Sequence, residues 1–132
     1  MKKLKYLPLF FILTLIQCKK STSEISIIGK WELVSSKWED YENNILKKTG
    51  TDLCTPTFCF TLNFKTDGKL TVIDSDGTVE TLDYKYTVGK LEIDGQTFKT
   101  IELTSSKLVW SYENDVTTTQ KEVVTQTFNK VN

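Results

Sequence analysis

The 132-residue chain contains no histidine, and reading along it finds no arginine and no alanine. Each absence removes a kind of chemistry. Without histidine, the commonest general base and the commonest zinc or copper ligand are missing, and neither a Ser-His-Asp nor a Cys-His centre can be assembled within one chain. Without arginine there is no planar fork for bidentate recognition of phosphate or guanine. All 17 basic residues are lysines, set against 17 carboxylates, so no nucleic-acid partner is expected. Without alanine, the small-x-small cleavage site of an ordinary secretory leader cannot be written in its usual form.

What the N-terminus does contain is Lys2, Lys3 and Lys5, then an apolar run from Tyr6 to Ile16 interrupted only by Pro8 and Thr14. Eleven helical residues rise about 16 Å, roughly half the ~30 Å of a hydrocarbon core, which is too short for a stable span. A basic start followed by a short apolar stretch is the pattern of a secretory leader. Its boundary reads Leu15-Ile16-Gln17-Cys18, followed by Lys19 and Lys20. This resembles the lipobox of bacterial lipoprotein precursors, in which the leader is cut just before a cysteine that carries lipid. The resemblance implies a signal peptide over 1–17, lipid on Cys18, and a polar tether over 18–26. The other reading is a plain leader in which Cys18 is incidental. Acyl chains contributing about 0.8 kcal/mol per buried CH₂ would hold the chain on a membrane without a spanning helix. Removing the leader leaves 14 lysines against 17 carboxylates, a mildly acidic domain over 27–132, long enough for one modest core.

Three cysteines are present. With Cys18 assigned to lipid, Cys54 and Cys59 remain in "CTPTFC". Thr55, Pro56 and Thr57 favour a turn that would bring their sulfurs together, and an exported compartment permits oxidation. A structural disulfide is one reading and a pair of free thiols another. The four-residue spacer departs from the C-x-x-C redox motif, and a zinc site would need two further ligands from a chain without histidine.

From Ile27 onward, short runs with alternating apolar residues are separated by turn residues. "FCFTLNFK" puts Phe58, Phe60, Leu62 and Phe64 on one face, "LDYKYTV" aligns Leu82, Tyr84, Tyr86 and Val88, and "KLVWSYE" aligns Leu108, Trp110 and Tyr112. Thr66-Asp67-Gly68, Asp74-Ser75-Asp76-Gly77, Gly89-Lys90 and Asp94-Gly95 read as hairpin turns. Phe98 is out of phase with Ile101 and Leu103, which calls for a bulge near Lys99 and Thr100. About eight strands result, an all-β antiparallel up-and-down meander of the sandwich or closed-barrel type. Residues 37–53 break the rhythm. Trp38, Tyr41 and Ile45, three and four apart, predict a short amphipathic helix ended by Gly50.

The stretch Ile27-Ile28-Gly29-Lys30-Trp31-Glu32-Leu33 carries a G-x-W motif on an early strand, before a long first loop and a meander. It resembles the bacterial lipocalin-like lipoprotein domain across residues 27–131. The resemblance implies a small lipocalin-like β-barrel in which Gly29 lets the strand bend and Trp31 packs across one end. In lipocalins an arginine often covers that tryptophan, and Lys130 is the candidate here.

The same resemblance implies a non-catalytic, lipid-anchored binder of a small apolar or amphipathic molecule in a Gram-negative cell envelope, the outer membrane being favoured. Trp31, Phe60, Phe64, Tyr84, Tyr86, Trp110 and Phe128 would line its pocket, with the hydroxyls of Tyr84 and Tyr86 orienting the ligand. For any single one of these aromatics the favoured reading is that it buries ~150–250 Å² and simply fills a narrow barrel. Trp38 and Tyr41 are placed in a lid over the open end. The second expectation is a protein-interaction or inhibitor module that meets an envelope protein through the loop at 37–57. No enzyme, cofactor or metal is expected. Asp74 and Asp76 fall far short of a calcium loop, and Glu102, Glu113 and Asp115 have no spacing that forces two carboxylates together.

Overall fold

In the computed structural model, residues 24–132 are described, and they form nine antiparallel strands with no helix among them. These are β1 (Gly29–Glu42), β2 (Ile45–Leu53), β3 (Phe60–Phe64), β4 (Lys69–Asp74), β5 (Val79–Thr87), β6 (Lys90–Ile93), β7 (Gln96–Leu103), β8 (Lys107–Asp115) and β9 (Gln120–Val131). Strands β3 to β9 pair in sequence, and β1 closes the circle by pairing with both β3 and β9. The result is an all-β, eight-stranded antiparallel barrel of the small lipocalin-like kind. Strand β2 is an extra strand on the upper half of β1. The expected leader over 1–17 and the lipobox-like Cys18 lie outside the described residues.

The barrel closes because its alternating strands turn one greasy face inward. Trp31, Leu33, Leu62, Phe64, Leu70, Leu91, Leu108, Trp110 and Phe128 are buried in one core with Ile27 and Phe98. Trp31 is fully enclosed, and its indole N–H donates to the Ile27 carbonyl at 2.8 Å. That bond folds the incoming chain under the barrel's lower end. Lys130 lies over the same indole, its ammonium 5.1 Å from the ring centroid, as the resemblance implies. Gly29 has φ +124°, and a Cβ there would lie 2.8 Å from Lys130 Cε. The backbone therefore requires glycine at this corner, and a side chain there would also push the end of Lys130 aside.

The expected helix over 37–53 is not formed. The segment is a β-hairpin made of the second half of β1 and all of β2, turned at Asn43 and Asn44. Both asparagines have positive φ, 52° and 62°, the requirement of the two-residue turn that joins twisted strands. Lys47 is bulged out where Asp40 pairs with Lys48 and Tyr41 with Leu46. Trp38 and Tyr41 thus fall on opposite faces of a strand paired on both edges, rather than in a lid loop. The second expected irregularity is real but sits slightly later. Ile101 is the extra residue between Thr100 and Glu102, it faces solvent, and Phe98 and Leu103 both turn inward across it.

Cys54 and Cys59 form a disulfide, with Cα atoms 4.9 Å apart. It spans the place where the neighbour of β1 changes from β2 to β3, with Cys54 N–H donating to the Val34 carbonyl. Thr55 and Phe58 exchange two backbone bonds of 3.0 Å around the intervening turn. The closed loop holds β3 against β1 without a continuous strand.

Candidate functional site

The turns at Asp74–Thr78 and Asp94–Gln96 mark one end of the barrel, opposite the end where Ile27 enters. At this upper end β1, β9 and β8 run on past the other strands, with β2 beside them, and stand as a wall on one side of the mouth. Directly opposed residues in an antiparallel ladder share a face, so the register gives the wall's inner surface row by row. The lowest row is Leu108, Phe128 and Leu33, all buried. Next come Trp110, Gln126, Ser36 and Asp52, then Tyr112, Val124, Trp38 and Gly50. The top row is Asn114, Glu122, Asp40 and Lys48. The surface passes from apolar floor to polar rim.

Trp38 fits this wall because of Gly50. A Cβ at position 50 would lie 2.3 Å from Trp38 Cζ2, so the indole lies directly on the glycine backbone.

Below and in front of the wall, the barrel opens into a cavity of about 640 Å³. Phe60, Leu70, Phe98, Trp110, Tyr112 and Gln126 are among its walls, and Glu80, Asp94, Gln96 and Asn114 lie near its lip. Its aromatics are mutually packed. Phe98 contacts Trp110 and Tyr112 with centroids 5.0 and 5.2 Å apart, and Trp110 stands edge-on to Phe128 at 4.6 Å. Such packing fixes the rings, so the cavity is shaped before any ligand arrives.

Two polar side chains, Ser36 and Gln126, sit side by side deep in this apolar surface. Gln126 is buried, and its Oε1 accepts the Trp110 indole N–H at 2.8 Å. An indole can only donate, so the bond fixes the carboxamide's orientation. The Gln126 NH₂ is left with no partner among the described residues. Tyr112 is the other polar aromatic here. Partial burial pushes its phenol pKa up, and the charge of Glu122 adds to the effect, so it is a neutral O–H at physiological pH.

The residues expected to line a pocket are therefore split by height. Trp110 and Phe60 line the cavity. Trp31, Phe64 and Phe128 are fully buried beneath it as packing, Phe128 with its ring 5.7 Å from that of Phe60. Tyr84 and Tyr86 lie at the opposite end, in a hollow of about 450 Å³ beside Ile25, Ile27 and Gly68. The Tyr84 hydroxyl donates to the Lys65 carbonyl at 2.6 Å, and its ring abuts Phe64, so it holds the β3–β4 turn. Phe98, Tyr112, Gln126, Glu80 and Asp94 were missed. Gln126 had a signal, since it interrupts the inward row Val124, Gln126, Phe128 at period two.

Two hollows of about 280 and 300 Å³ lie at the far tip among charged and hydroxyl side chains such as Asp40, Lys48 and Thr118. They lack the apolar floor of the large cavity. Asp74 and Asp76 form a solvated turn, in which Asp76 Oδ1 accepts the Thr78 N–H at 2.8 Å, and that bond lowers its carboxyl pKa. Among the described residues, no three potential metal ligands come together. No protein-family model matches the chain, and no curated protein is significantly similar to it.

Proposed function

We propose that this protein is a lipid-anchored envelope protein whose barrel mouth takes up a small apolar or amphipathic molecule without transforming it. The observation that carries the reading is the open, aromatic-walled cavity of about 640 Å³, within the ~300–1,000 Å³ range of small-molecule sites. Lipid on Cys18 supplies the anchor. It would enter at the lower end, so the mouth would face away from the bilayer. The Cys54–Cys59 disulfide is in keeping with an oxidising compartment outside the cytoplasm. Residence in the outer membrane of a Gram-negative cell and the absence of catalysis belong to the same proposal.

Native mass spectrometry of protein from its own host tests it. A co-purifying small molecule, displaced by the bulkier Val72→Trp side chain on the cavity wall, is the expected result. A bare protein that takes up neither a neutral nor a charged fluorescent lipid would refute the binding role. Mass spectrometry of the mature N-terminus tests the anchor, which an unmodified Cys18 would exclude. Turnover of an ester or glycoside panel by pure protein would contradict the non-catalytic reading.

A second reading, contact with an envelope protein, is favoured by one observation. The outer edge of β2 has no partner strand among the described residues, and an extended segment of another protein could pair along it. Crosslinking from Thr49 or Thr51 in intact cells would capture such a partner.

A further inference from the structure

The cavity's chemistry is not neutral about what enters. Glu80 and Asp94 are carboxylates at its lip, and no lysine lines it. Neither carboxylate forms an ion pair among the described residues. On the wall above, Glu122 and Asp40 face the same side, with Lys48 as the opposing charge beside Asp40. Glu122 accepts only the neutral Asn114 amide at 3.1 Å. The mouth therefore carries an excess of negative charge over aromatic faces, an arrangement that attracts ammonium groups and repels carboxylates. Deeper in, the Gln126 NH₂ makes no hydrogen bond to another described residue and is not fully enclosed, so on a side chain that is otherwise buried it is a donor left open to whatever enters the cavity.

We infer that the cup's ligand is an amphipathic organic cation, its ammonium at the Glu80 and Asp94 lip and a hydrogen-bond acceptor reaching the Gln126 amide at the floor. This rests on the binding reading above and names its ligand class. A fatty acid presents the wrong charge at the lip.

Titration of the full chain, followed by tryptophan fluorescence at low salt, tests the inference with a matched set: octyltrimethylammonium, 1-octanol and octanoate. The cation should bind about tenfold tighter than octanol and octanoate weaker still, the margin shrinking as salt screens the lip. Glu80→Gln with Asp94→Asn, both at exposed positions, should bring the cation and octanol within about twofold. A cation carrying a terminal hydroxyl on the octyl chain should bind at least as tightly as the plain one. Octanoate binding as well as the cation would overturn the charge assignment while leaving the cup intact. Weaker binding of the hydroxyl-ended cation would overturn the role of Gln126. Failure of all three probes would overturn the binding reading itself.

Discussion

The Trp110–Gln126 bond joins core and cavity, and its removal has a calculable signature. Trp110→Phe deletes one ring of a side chain that is 2% exposed. At ~24 cal/mol per Å³, a void of roughly 40 Å³ costs about 1 kcal/mol. Loss of the indole N–H leaves the Gln126 carbonyl unpaired, a further 1–2 kcal/mol or so. The total is about 2–3 kcal/mol. Gln126→Leu strands the indole N–H instead but adds apolar burial, for a net loss of about 1 kcal/mol. With both changes there is no unpaired polar group, and the void is partly filled. The double variant should then lose only about 2 kcal/mol, which leaves a coupling energy of roughly 1–2 kcal/mol. Urea unfolding with the disulfide intact reads this directly, Trp110→Phe lowering the midpoint by roughly 1–2 M at an m-value typical of small domains. If the two losses add within about 0.3–0.5 kcal/mol, the bond is not made, and the orientation of the Gln126 amide loses its basis.

Further perturbations follow from the same contacts. Gly29→Ala should destabilise by about 1–3 kcal/mol, because a non-glycine residue at that positive φ is strained and Lys130 is displaced from Trp31; thermal melting checks it, and an unchanged Tm would refute the corner's role. Reduction of Cys54–Cys59 should cost about 2 kcal/mol for so short a loop, seen as an earlier urea midpoint in dithiothreitol. Tyr112 has a pKa raised by burial and by Glu122, so its contribution is full below about pH 10, the usual phenol value. It falls as pH rises from there through the higher folded value, since the unfolded chain ionises first. Tyr112→Phe should flatten that alkaline loss, followed by tyrosinate absorbance alongside unfolding.

Much of the barrel was legible because strands β3 to β6 and β8 obey a simple period, which the bulge at Ile101 breaks in β7. Phe60-Leu62-Phe64 and Leu108-Trp110-Tyr112 alternate without interruption, and Asp94-Gly95 is an ordinary turn pair with positive φ at both residues. The hairpin of β1 and β2 was hidden for physical reasons. Bulges at Val34 and Lys47 shift the alternation, so Trp38, Tyr41 and Ile45 fall by accident at helical spacing. The Asn43-Asn44 pair was the overlooked turn signal, and Gly50, expected to end a helix, instead makes room for an indole. The cavity was legible only in part. Period two says which side chains point inward, but not how high each stands, because strand tilt and stagger set height in a closed sheet. Hence Tyr84 and Trp110, both inward aromatics, lie at opposite ends. The rim carboxylates looked like ordinary turn and strand residues until closure gathered them around one mouth.

The most direct test of a ligand cup at the upper end is a nitrogen-15 NMR titration of the full chain with 1-octanol, a neutral probe independent of the charge inference. The indole N–H of Trp110 and the side-chain amide of Gln126 should move together and saturably, with the backbone of Phe98, while the enclosed indole of Trp31 stays fixed. Movement confined to Gly68, Tyr84 and Tyr86, or none at all, would contradict the placement of the site.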